Sequence, residues 1–124
     1  MRKAEFKDYI FTAQILITFG SMKEISEYIE KKYKVKFDLH PQWGAFSGEL
    51  DGKYHMHFEE YGFKPIVHET NHAAFDILND RGIRLTPHTK EVFAYYQSWL
   101  ASKCRDYLEQ WTQSKVDRYR KGKS

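Results

Sequence analysis

Apolar residues recur along the chain with two different periods. Residues 9–19 are rich in Ile, Phe and Thr with apolar positions on both faces. That pattern predicts a strand buried on two sides and bounded by Gly20. Ser21, with Glu24 three residues on, has the form of a capping box. The helix it opens carries Met22, Ile25, Ile29 and Tyr33 as one apolar stripe. Val35, Phe37 and Leu39 alternate, predicting a second strand that stops at Pro41. Asp51-Gly52 supplies the positive φ angles of a tight hairpin turn. Its strands are expected over 45–50 and 53–59, with Tyr54, Met56 and Phe58 on one face and His55 and His57 on the other.

From residue 64 to 80 the period becomes helical, and Gly82 stands where a C-terminal cap is expected. Thr86-Pro87 or Thr89 starts a further helix. Its stripe of Phe93, Tyr96, Leu100, Cys104, Tyr107 and Trp111 is continuous. The sum is an α+β domain over residues 1–114: a small, mostly antiparallel sheet with one N-terminal helix and two C-terminal helices. A basic tail, 115–124, is expected to fray.

Composition narrows the class. The chain has 124 residues, 41% hydrophobic and 17% aromatic, enough for one aromatic-rich core. The formal net charge of +3 gives little support to nucleic-acid binding, and Arg118-Tyr119-Arg120-Lys121 reads as a solvated run. The lone Cys104 rules out an internal disulfide and cysteine-rich zinc sites, and falls in the helical stripe as a small core residue. No apolar run approaches the roughly 20 residues of a membrane span. The first residues lack the apolar stretch of a signal peptide, so a cytoplasmic protein is expected.

The chemistry lies at His68-Glu69-Thr70-Asn71-His72. Residues four apart share a helix face, so His68 and His72 can point two imidazoles at one metal ion. Glu69 sits about 100° around the helix from His68, within reach of a metal-bound water without being a ligand. The pattern thus combines two ligands with a general base. Glu91, 19 residues after His72, falls near the start of the next helix, where the dipole favours an anion. Asp76, Asp80 and His88 compete with it as third ligand, Asp76 being four residues after His72 on the same face.

A helix-borne His68-Glu69-x-x-His72, a turn, and a glutamate on the following helix resemble the gluzincin branch of zinc metallopeptidases. More closely, Ile66-Val67-His68-Glu69 through Ala73, Ile77-Leu78, Arg81-Gly82-Ile83 and Glu91-Val92-Phe93-Ala94-Tyr95 are similar to small metallopeptidase-like proteins of tailed bacteriophages. The resemblance implies a minimal zincin-like fold and one zinc ion held by His68, His72 and Glu91, with water in the fourth position. It also implies hydrolysis of peptide bonds in a phage setting, acting on a peptide or protein such as a virion component. A non-catalytic zinc-containing phage structural, assembly or interaction protein is the alternative.

Tyr95, four residues after Glu91, is the candidate for holding the oxyanion, whereas Tyr96 belongs to the packing stripe. His55 and His57 could form a second metal pair, although a polar sheet face near the site is the simpler reading. Their strand could also be the edge along which an extended peptide is laid.

Overall fold

The run of buried residues Ile15, Leu16, Ile17 and Thr18 places β2 (Gln14–Phe19) at the centre of the molecule. The computed structural model describes residues 1–37 and 44–123, of which 114–123 are described by backbone alone. Four strands and three helices follow in the order β1 (Arg2–Lys7), β2, α1 (Met22–Tyr33), β3 (Ala45–Leu50), β4 (Lys53–Phe58), α2 (Phe63–Asp80) and α3 (Lys90–Lys123). The strands form one sheet in the order β1-β2-β4-β3. Both outer pairs are antiparallel, and the central pair β2–β4 is parallel, so the sheet is mixed.

This α+β architecture carries the predicted N-terminal helix, motif helix and long C-terminal helix. Three local expectations change. The predicted strand 9–19 begins only at Gln14, because Asp8 accepts hydrogen bonds from the amides of Ile10 and Phe11 and makes residues 9–11 a turn. β1 gave no apolar signal: Arg2, Lys3, Glu5 and Lys7 leave only Ala4 and Phe6 to pack, as suits an edge strand. Residues 34–37 are not a strand, and Leu39 and Pro41 lie outside the described residues.

The hairpin has the predicted shape, with Asp51 at φ 55° and Gly52 at φ 75° in its turn. Tyr54, Met56 and Phe58 face α2 and α3 in a core that includes Ile15, Ile17, Ile77, Leu78, Leu100 and Leu108. The opposite sheet face is covered by Met22, Ile25 and Ile29 of α1, with Phe37, Phe46 and Leu50 against them. Ser21 caps α1 through its hydroxyl and Glu24, a complete capping box.

α2 ends in a Schellman motif, with the amide of Gly82 on the Asn79 carbonyl and that of Ile83 on the Leu78 carbonyl. Gly82 adopts φ 81°, which an L side chain would resist. The chain thereby turns back, Thr89 accepts the Phe93 amide through its carbonyl, and α3 begins. Backbone helix of α3 continues through the first nine residues of the basic stretch, to Lys123. Among the described residues no helix is long and apolar enough to cross a membrane.

Candidate metal centre

α2 buries Ile66, Thr70, Ala73, Ala74, Ile77 and Leu78 against the sheet and α3. The rotation this fixes turns His68 and His72 outward, both exposed. Pro65 is accommodated in the first turn, where its missing N–H would have no helical partner. The two imidazoles meet with their Nε2 atoms 3.2 Å apart and their ring planes at 77°. Two nitrogens bound tetrahedrally at zinc, with bonds near 2.05 Å, would lie about 3.3 Å apart. The pair therefore has the spacing of one edge of a zinc tetrahedron.

Glu69, one step round the helix, is 5% exposed. It makes no hydrogen bond or ion pair within the described residues, yet its carboxylate is not sealed off. The one fully enclosed, unpartnered side-chain polar atom among them is Thr112 Oγ1. A sheltered carboxylate without a protein partner needs a water or ligand proton to offset its desolvation.

Glu69, His68, His72 and Asp76 line a groove of about 980 Å³. Its far wall is β3, through Ala45, Phe46 and Ser47, with Phe37 beside them; Glu60 and Lys64 stand at the α2 N-terminal end. β3 is an outer strand of the sheet, so the groove runs beside the sheet's edge. Burial and nearby Asp80 push the Asp76 carboxyl above its ordinary value, while His72 pulls it down and Glu49 adds to the rise.

The predicted site residues divide here. His68, Glu69, His72 and Asp76 share one groove, whereas Glu91 and Tyr95 do not line it. Glu91 is exposed in the first turn of α3, and Tyr95 is 74% exposed. Among the described residues no three His, Cys, Asp or Glu side chains stand together as a metal-binding group, so neither Asp76 nor Glu91 forms one with His68 and His72. Tyr96 packs in the core, its hydroxyl donating to Asp8 Oδ2 at 2.8 Å.

His55 and His57 are not a polar surface beside the groove. Both are buried on the α1 face, because β4 is an inner strand covered on both sides. His57 shares hydrogen bonds with Thr18 Oγ1 (2.6 Å) and with His55 (3.1 Å), and stacks on Phe46. Burial lowers His55 to about 4 and, with the neighbouring His55, lowers His57 to about 3. The outer strand beside the groove is β3 rather than theirs. Cys104 is the core residue expected, its thiol pushed by burial to about 12.

Comparison with protein-family models, curated proteins and solved structures finds no match to this chain.

Proposed function

We propose that the groove is the active site of a zinc-dependent peptidase, with His68 and His72 as metal ligands and Glu69 as general base. The observation that carries this reading is the 3.2 Å approach of the two Nε2 atoms next to a sheltered glutamate that has no partner among the described residues. Bound zinc would supply Lewis acidity and a water acidified towards neutrality.

The chain's own groups do the rest. Both imidazoles present Nε2 as neutral donors, which leaves each Nδ1 to be fixed by a further partner. Glu69 takes a proton from water at a carboxylate oxygen. Of the carboxylates weighed as third ligand, Asp76 shares the groove and Glu91 does not, which favours Asp76. β3 is the outer strand of the sheet on the histidine side, where an extended peptide would lie along it. In the phage setting that the sequence resemblance suggests, a virion or host protein would be the substrate.

The decisive experiment is metal analysis of the protein purified without added metal, followed by peptide hydrolysis by the loaded form. One zinc per chain and cleavage that Glu69→Gln removes without loss of metal are the expected results. A chain that takes up no zinc would refute the proposal.

A further inference from the structure

Phe63 lies in the first turn of α2 and is 82% exposed, although it is among the largest apolar side chains of the protein. It does not stand alone on the surface. Together with Ile66, Val67 and Ala101 it borders a mostly apolar cleft of about 290 Å³ between the start of α2 and the middle of α3. A depression of about 530 Å³ shares Phe63 and Val67 with this cleft and His68 with the main groove. The imidazole of His68 therefore has the β3 groove on one flank and, on the other, a depression bordered by Lys64, Asn71 and Gln97 that leads to the Phe63 cleft.

Resting on the peptidase reading, we propose that the Phe63 cleft is the specificity site, taking a large apolar side chain of the substrate. A peptide whose scissile bond lies at His68 and His72 reaches the cleft by crossing part of α2. A helix is about 10 Å across, and an extended chain advances about 3.3 Å per residue. The accepted side chain is thus two or three residues from the scissile bond. An aromatic or Leu side chain fits a recess of this volume, and its burial covers the Phe63 ring that water now contacts. A short side chain leaves both surfaces wet and gains nothing there.

The test uses the zinc-loaded full chain and paired peptides that differ only in Phe or Ala at those positions. The expected ratio of kcat/KM, Phe over Ala, is about 10 or more. In Phe63→Ser, which opens the cleft, and in Ala101→Trp, which fills it, that ratio falls towards one while zinc content stays at the parental value. Two opposite changes of volume guard against one variant folding poorly. Cleavage of both peptides at equal rates by the parent chain, or a preference that survives in both variants, overturns the cleft assignment and leaves the peptidase reading standing. Failure of the loaded parent to cut any peptide overturns the peptidase reading and this assignment together.

Discussion

His55 Nδ1 lies 3.1 Å from His57 Nε2, nearly the separation of the His68 and His72 nitrogens, but under α1 instead of open to a groove. The similar spacing carries different chemistry because the surroundings differ. The inner pair is held neutral by burial and satisfied by Thr18 and Tyr33, whose hydroxyl lies 3.4 Å from His55 Nε2.

That inner pair makes stability dependent on pH. Both groups have folded values below the ordinary histidine value, at about 4 and about 3. The unfolded chain therefore binds more protons once the pH drops below roughly 6.5. Their contribution is fully present above that value and is lost as the pH falls towards 4. A loss on the order of 3 kcal/mol for each histidine is expected by pH 4. Denaturant unfolding between pH 7 and 4 would show it, and the doubly substituted His55→Leu, His57→Leu chain should have a flatter profile.

Zinc affinity should separate the competing third ligands. His68→Ala or His72→Ala is expected to lower affinity by more than about 100-fold, each removing a donor. Asp76→Ala should weaken binding by about 10- to 100-fold, and Glu91→Ala should leave it within experimental error. Titration against a competing chelator reads all four. A large effect of Glu91→Ala would reinstate the gluzincin ligand set.

The two tyrosines at the start of α3 should behave oppositely. Tyr95→Phe, at an exposed position away from the groove, is expected to change neither stability nor hydrolysis measurably. Tyr96→Phe removes the hydroxyl donated to buried Asp8 and should cost about 1.5–3 kcal/mol of stability. A catalytic defect in Tyr95→Phe at unchanged melting temperature would return that residue to the mechanism.

In hydrolysis itself, Glu69→Gln should lower kcat by about 10²- to 10⁴-fold at unchanged zinc content. The amide keeps the shape of the side chain and cannot accept the proton. Single-turnover measurements with the loaded variant would check this.

Local chemistry made much of the architecture readable. Ser21 and Glu24, Asp51-Gly52, and Gly82 each mark a boundary through a hydrogen bond or a φ angle that neighbouring residues dictate. The pairing of His68 with His72 follows from helical geometry in the same way. What stayed hidden depends on residues far apart in the sequence. β1 has too few apolar residues to announce itself and exists because β2 offers it an edge. The parallel β2–β4 pair buries His55 and His57, and their alternation alone could not tell an inner strand from an outer one. Phe63 precedes the motif by one turn, and its exposure follows from where α3 passes.

Among the described residues the groove is drawn almost wholly from a single stretch of chain, residues 44–76, with Phe37 the one contribution from outside it. Its walls are a hairpin and the helix that follows, units that form through short-range contacts. Closure of the parallel pair and docking of α3 must bridge longer separations and pay more loop entropy. In folding terms, the histidine pair and its facing strand belong to the early, local part of the structure. Strand β1 and the far end of α3 can then loosen without dismantling the site.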